Sequence, residues 1–365
     1  MNWQDYFSEV RDFRVKGRCT HQLSDILMLT LCGILADCSD FEEIYDYGCD
    51  KEEFLCSFLA LPNGIPSHDT INRVFRYLDP SELSNCLTKW GKEIVGFLSD
   101  KGIQIDGKEC RGTIPKGKKH AGVQIVSAWA GSEGLCLAQE KVSSKSNEIT
   151  AIPKLLTSLD IEGAVVSIDA MGCQKKIAKQ IIDQKGDYLL ALKKNHRQLS
   201  EEVVTWLEMR EPVLEKYEER DLGHGRAELR EVYVSNDLRT IDESSQWAGL
   251  KSLAMVKTTR WKDDKCTHST RFYISSLAEP TAEQMAKHIR GHWSIENDLH
   301  WQLDITFGED QSKVTKDNAP ENLNTIRKIA LQLLKKEPIS KASMKRKRKK
   351  AARDNRYLIS VLRQI

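Results

Sequence analysis

The 365-residue chain predicts an α/β protein, and three observations carry that expectation. The first hundred residues repeat their apolar positions at helical spacing. From Gly102 the period shortens to that of strands. Two of those strands are nearly continuous in apolar residues, and helices alternate with them, the order of a sheet covered on both faces. With 40% hydrophobic and 30% charged residues, the chain has the composition of a globular protein and the length for two or three domains. The longest apolar stretch, residues 23–36, contains Asp25 and is too short to span a bilayer. The N-terminus lacks the basic and apolar regions of a signal peptide, so a cytoplasmic protein with no membrane partner is expected. Ten cysteines are scattered singly without a C-x-x-C pair, which speaks for reduced thiols and against a zinc knuckle or redox motif.

Leu23, Ile26, Leu27, Thr30, Leu31, Ile34 and Leu35 form a broad apolar stripe on the first long helix. Pro66-Ser67 opens a short helix to Leu78, closed by Asp79-Pro80. Ser81 is expected to cap the next, whose Leu83, Leu87, Trp90, Ile94 and Leu98 share a face. Residues 1–100 thus read as an all-helical N-terminal domain. Arg73 and Arg76 on its short helix suit a DNA-recognition helix as well as an ordinary surface one.

Strands follow at 103–108, 123–130 and 135–142, then a helix at 148–159. Residues 164–169 make a central strand, 175–184 a helix and 187–193 another central strand. Between about 196 and 278 the rhythm stops. A helix at 199–207 leads into strand-like pieces at 227–234, 253–260 and 271–276, a β-rich insertion. A helix at 281–302 and a last one at 319–334 complete a domain spanning 101–334. Residues 335–365 form a basic C-terminal tail. Within 335–353, ten Lys or Arg face a single Glu337, a charge of +9 in a chain whose total is +2. Such a run suits either a polyanion or a solvated tail.

Asp106 lies mid-strand in Ile-Gln-Ile-Asp-Gly-Lys, and Asp169 ends the apolar run Val-Val-Ser-Ile-Asp. A charge inside a central strand is costly to bury unless something pairs with it, and reactive groups gather at the carboxyl ends of strands in open α/β sheets. If the two strands are neighbours, the carboxylates repel, and two divalent cations, Mg²⁺ or Mn²⁺, relieve that. Alternatively, Asp169 caps the following helix near Gly172. In the helix at 281–302, Met285, Ile289, His292, Glu296, Leu299 and Leu303 share one otherwise apolar face. Glu296 is therefore expected to point at the sheet, toward the aspartates or toward a core Arg or Lys. Asp304, Glu309 and Asp310 are its stand-ins if the register differs. His292, Glu296 and His300 at i−4, i and i+4 invite zinc, but no Cys or water-activating neighbour completes such a site.

The strings Ile168-Asp-Ala-Met-Gly-Cys-Gln174, Asp187-Tyr-Leu-Leu-Ala-Leu-Lys-Lys-Asn195 and Gly291-His-Trp-Ser-Ile-Glu-Asn297, continued by Leu299-His-Trp-Gln-Leu-Asp304, resemble the H-repeat-associated transposases among the DDE transposases of bacterial insertion sequences. The resemblance runs from Tyr6 to about Leu334. It implies an RNase H-like mixed sheet flanked by helices, with Asp106, Asp169 and Glu296 as catalytic metal ligands for two cations. It further implies phosphodiester cleavage and strand transfer at insertion-sequence ends. The expected partners are double-stranded DNA at terminal inverted repeats and further copies of the chain on that DNA, at the nucleoid.

Related transposases carry Tyr-x2-Arg-x3-Glu-x6-Lys around the catalytic Glu; here Ile289, His292 and Leu303 occupy the other positions. Arg290 and His292 are the candidates to hold a phosphate in their place. Lys193, Lys194 and Asn195, leaving a central strand, are candidate phosphate contacts. Arg226 and Arg230 share a strand face that suits phosphates or plain solvent. Trp293 suits an unpaired base or simple packing. A non-catalytic DNA-binding relative of such enzymes is the alternative function, and a nuclease of the same fold acting on RNA–DNA hybrids or junctions is a third.

Overall fold

Six helices open the chain: α1 (Trp3–Ser8), α2 (Leu23–Leu35), α3 (Phe41–Asp50), α4 (Glu52–Leu55), α5 (His68–Tyr77) and α6 (Pro80–Val95). The computed structural model describes residues 3–364 except 97, 100, 118–121, 144, 145, 224 and 264. Every residue of α2 but Ser24 is buried, as its broad apolar stripe requires. Ser67 caps α5, accepting from the Thr70 N–H at 3.3 Å. For α6 the cap is Asp79 and not Ser81. The Asp79 carboxylate accepts from the Ser81 N–H at 3.0 Å, and Pro80 takes the first helical position, where a missing N–H is harmless. The helix ends at Gly96, in the left-handed region at φ 62°, so Leu98 is buried beyond the helix rather than on its stripe.

The sheet begins with β1 (Gly102–Cys110), β2 (Val123–Ala130) and β3 (Leu135–Lys141), followed by α7 (Glu148–Thr157), β4 (Val165–Ile168), α8 (Lys175–Asp183) and β5 (Asp187–Leu192). Their order is β3-β2-β1-β4-β5, antiparallel from β3 to β1 and parallel from β1 to β5. This is the RNase H-like mixed sheet. The insertion adds α9 (Arg197–Arg210), β6 (Glu215–Gly223), β7 (Arg226–Ser235), β8 (Ser252–Lys262) and β9 (Lys265–Ser275). It is not a separate layer. β9 pairs antiparallel with β5, from Leu189↔Ser275 to Leu192↔Phe272, and the sheet continues through β8 and β7 to β6 as nine strands. The sequence pattern hides β6, Glu-Lys-Tyr-Glu-Glu-Arg-Asp-Leu-Gly, because an edge strand with little burial needs no apolar alternation; its charges also discourage further pairing.

The helix expected over 281–302 is α10 (Ala282–Ser294), capped by Thr281 and Gln284, and then two π-helical segments, Ile295–His300 and Gln302–Thr306. The chain closes with α11 (Ala319–Lys336), α12 (Met344–Arg353) and α13 (Asn355–Leu362). The α11 helix ties the N-terminal helices to the sheet. Asn322 donates to the Phe75 and Leu78 carbonyls, both at 2.9 Å, and Lys328 to Ser127 Oγ and Gln139 Oε1, both at 2.8 Å. One hydrophobic cluster accordingly runs from Tyr6 to Leu362. Part of the basic tail is internal. Arg348 is buried and donates to the carbonyls of Ile34 (2.9 Å), Cys38 (3.1 Å) and Thr306. Lys347 donates to Leu334 (2.7 Å) and Glu337 (2.9 Å). Most of these carbonyls lie at or just past the ends of α2 and α11, where helices leave acceptors without intrahelical partners. Lys345, Arg346, Lys349 and Lys350 face solvent.

Candidate active site

β1 and β4 are parallel neighbours whose last pair is Ile105↔Ile168. The next residues are Asp106, still inside β1, and Asp169, just past the end of β4, so the two aspartates follow the same rung of adjacent central strands. Asp169 Oδ1 accepts from the N–H groups of Met171 (3.0 Å) and Gly172 (3.2 Å), which turns the chain toward α8. Asp169 thus closes the turn and does not cap the helix, whose N-cap position is Gln174. Burial, then the charges of Glu148 and Asp169, and more weakly Glu296, push the Asp106 carboxyl up to about 7, against the lowering effect of the Gly107 N–H. His300 Nδ1 lies 3.5 Å from Asp106 Oδ2. Burial, then the cations Lys328 and Lys108, push that imidazole down to about 3, so it brings no positive charge. Its Nε2 is buried with no hydrogen-bond partner among the described residues.

Glu148, absent from the sequence-derived candidates, is the strongest charged neighbour of Asp106. It is the first residue of α7, and burial followed by Asp169 raises its own proton affinity. An acidic residue in the first turn of a helix is ordinarily explained by the helix dipole, so its sequence context carried no signal.

Glu296 is not on the inward face. Where α10 gives way to π-helical turns, Ile295 and Leu299 occupy the core and Glu296 is exposed at the rim. It stays within the field of the aspartates. Burial and Asp169 raise its proton affinity while Arg271 opposes them, and it contributes to the shift at Asp106. The stand-ins Asp304, Glu309 and Asp310 are engaged elsewhere, around Lys108 at 2.7, 3.0 and 3.4 Å. Glu309 also meets Arg327 at 3.7 Å and the Asn324 amide. His292 does not line up with Glu296 and His300 as a zinc site. Its Nδ1 lies 3.0 Å from Ser167 Oγ, and burial lowers its proton affinity. Among the described residues, no group of three or more His, Cys, Asp or Glu side chains is arranged to hold a metal ion.

Beside the acidic cluster a groove of about 780 Å³ runs between α10 and the β6–β9 face, with Glu296 on its wall. Arg226, Arg230, Arg260, Arg271, Arg290 and Trp293 line it together with Glu219, Asp221 and Glu228. Glu228 is buried between Arg230 and Arg260, and Arg290 pairs with Glu219 (3.2 Å) and Asp221 (3.4 Å). Arg226 is exposed at the start of β7. The Arg271 guanidinium stacks 4.7 Å from the centre of the Trp293 ring, which is 38% exposed. His292 is absent from this wall because it turns toward Ser167. Lys193 and Lys194 are exposed where β5 ends, and the adjoining Asn195 donates to the Ala170 carbonyl at 2.9 Å, fixing both lysines beside the Asp169 turn. Arg76, a candidate for DNA recognition, pairs with Asp317 at 2.6 Å.

Fold and site together define an RNase H-like α/β protein with an acidic cluster at the carboxyl ends of its central strands. A family model described as "Transposase DDE domain" matches residues 86–333, and one described as "DDE_Tnp_1-associated" matches residues 4–91. "H repeat-associated putative transposase YhhI" of Escherichia coli K12 is 38% identical over 98% of this chain and 97% of its own length. "Putative transposase YncI" of Escherichia coli O157:H7 is 40% identical over 98% and 93%. The cryo-EM structure of the piggyBac transposase synaptic complex with hairpin DNA aligns over 98% of this chain and 76% of that one, at TM-score 0.44 and 13% identity. The chain belongs to the DDE-domain transposase family. Among its described residues no helix is long and apolar enough to cross a membrane.

Proposed function

We propose that this protein is a metal-dependent DNA transposase that cleaves phosphodiesters and transfers strands at the ends of an insertion sequence, with Asp106, Asp169 and Glu296 as its catalytic carboxylates. The observation that supports this most directly is the mutual repulsion of carboxylates placed within β1 and just past β4, which no described Lys or Arg relieves by an ion pair. An all-oxygen set of this kind suits Mg²⁺ or Mn²⁺. Like charges spread apart, consistent with side chains that do not converge on one point among the described residues; a cation between them reverses the sign of that interaction. Bound there, a pair of divalent ions supplies an activated water or 3′-hydroxyl and a stabilised leaving oxygen.

The protein's own part is positioning. Asp169 is held by two backbone N–H groups, Asp106 by its strand, and Glu296 by the π-helical turn. Lys193 and Lys194 would bind phosphates next to the cluster. Arg226, Arg230 and Arg290 would bind them along the groove, and Trp293 offers a face for an unpaired base. His292, turned inward and neutral, would act through the Ser167 contact and not on phosphate. Double-stranded DNA bearing terminal inverted repeats, joined by several copies of the chain, is the assembly this implies.

The test is nicking of duplexes carrying the inverted repeats that flank the gene, in Mg²⁺ or Mn²⁺. Asp106→Asn, Asp169→Asn and Glu296→Gln should each reduce cleavage at least about 100-fold while DNA binding survives. Full cleavage by all three variants refutes the assignment; binding without cleavage by the unaltered protein under either metal favours a non-catalytic DNA-binding role.

A further inference from the structure

Gly107 follows Asp106 on β1, and by strand alternation its missing side chain belongs to the opposite face. A methyl group built there would overlap the Glu148 carboxylate, whose three heavy atoms all lie within 2.9 Å of that position. Gly107 has no turn or positive φ to explain it. It is a cradle that lets Glu148 lie against the strand backbone. β4 stops pairing at Ile168, so on that side no strand separates Gly107 and Glu148 from Asp106 and Asp169. Among the described residues none donates a hydrogen bond to the Glu148 carboxylate and no Lys or Arg pairs with it, although it is half-buried. A half-buried, unneutralised carboxylate lying against Gly107, in the field of two more, is unfavourable unless a cation joins them.

We propose that Glu148 is a fourth carboxylate of the cation site, reaching Asp106 and Asp169 across Gly107 and sharing an ion with them. This rests on the reading of Asp106 and Asp169 as metal ligands. Glu148 enters from the side away from α10, whereas Glu296 approaches from the α10 end. The aspartates are thus flanked by one glutamate on each side. Gly107 becomes a requirement of the site: any side chain there expels Glu148.

The experiment is Mn²⁺ titration of the full-length chain by calorimetry, with thermal melting of the metal-free protein in EDTA at pH 8. Glu148→Gln should weaken Mn²⁺ binding roughly tenfold or more, Glu148→Asp should recover part of it, and Gly107→Ala should match Glu148→Gln. With one repelling charge removed, metal-free Glu148→Gln should melt above the unaltered protein. If Glu148→Gln binds Mn²⁺ normally while Asp106→Asn does not, Glu148 is no ligand and the aspartates remain the metal site. If Asp106→Asn also binds normally, the aspartates lose that role and Glu148 loses it with them. A lower melting temperature for Glu148→Gln with unchanged Mn²⁺ affinity would leave Glu148 as a helix N-terminal residue only.

Discussion

Asp169 leaves β4 one residue past the Ile105↔Ile168 pair and so stands level with Asp106, which lies inside β1 opposite Ser127 of β2. The parallel pairing of two short central strands, and not any local motif, brings these carboxylates into one electrostatic field. That shared field, and the ionic contacts framing it, set how the protein responds to pH, substitution and salt.

Asp106 should make the metal-free protein less stable as pH rises. Its folded-state value of about 7 lies above the ordinary carboxyl value of 3.8, so between these the native state binds more protons than the unfolded state and stability falls with increasing pH. Asp106→Asn should therefore stabilise the protein at pH 8, and the advantage should vanish near pH 4. Urea titrations in EDTA across that range measure it, and equal stabilisation at both ends would contradict the burial and repulsion described.

Lys108 holds Asp304, Glu309 and Asp310 together from the even face of β1. Burial disfavours its charge, but Glu309 and Asp304 more than offset this and raise its proton affinity. Lys108→Met leaves a buried Glu309 with only the Asn324 amide and Arg327 among the described residues. We expect a loss of about 3–5 kcal/mol in stability, read from denaturant unfolding. A loss below about 1 kcal/mol, the range of an exposed ion pair, would mean that the three acids find other partners.

Arg348 should behave as a core residue despite its place in a basic run. It satisfies three carbonyls and pairs with Asp37 at 3.0 Å, while burial pushes its guanidinium down to about 10. Arg348→Met should cost about 3 kcal/mol or more through the orphaned acceptors, visible as a lower melting temperature. Lys349→Gln, one residue away and exposed, should leave melting unchanged. Similar melting for both would place Arg348 on the surface.

DNA affinity should report Lys193 and Lys194 through its salt dependence. If each contacts one phosphate, replacing both by Gln lowers the slope of log K against log salt by roughly 2. Fluorescence anisotropy with inverted-repeat duplexes between low and moderate salt gives the slope. An unchanged slope removes these lysines from the DNA path.

Much of this protein was legible in its chain. The apolar strand runs, the helical stripes and the insertion all follow from short-range periodicity, which depends only on which faces are buried. Asp106 and Asp169 stood out because a charge in an apolar strand is costly. Glu148 did not, since an acid at a helix start is commonplace, and β6 did not, since an exposed edge leaves no apolar pattern. The inward place expected for Glu296 is taken by Ile295, where α10 passes into π-helical turns, while Leu299 and Leu303, expected on the same face, are buried.

The amino-acid order thus determined most element types, the family and the choice of Asp106 and Asp169 as candidates, all properties of local pattern. Tertiary structure alone decided that the insertion extends the central sheet, that Gly107 makes room for Glu148, and that Lys347 and Arg348 are interior ties while their neighbours face solvent. Those outcomes depend on which distant backbone groups are left without partners, and a linear pattern does not carry that information until the chain has packed.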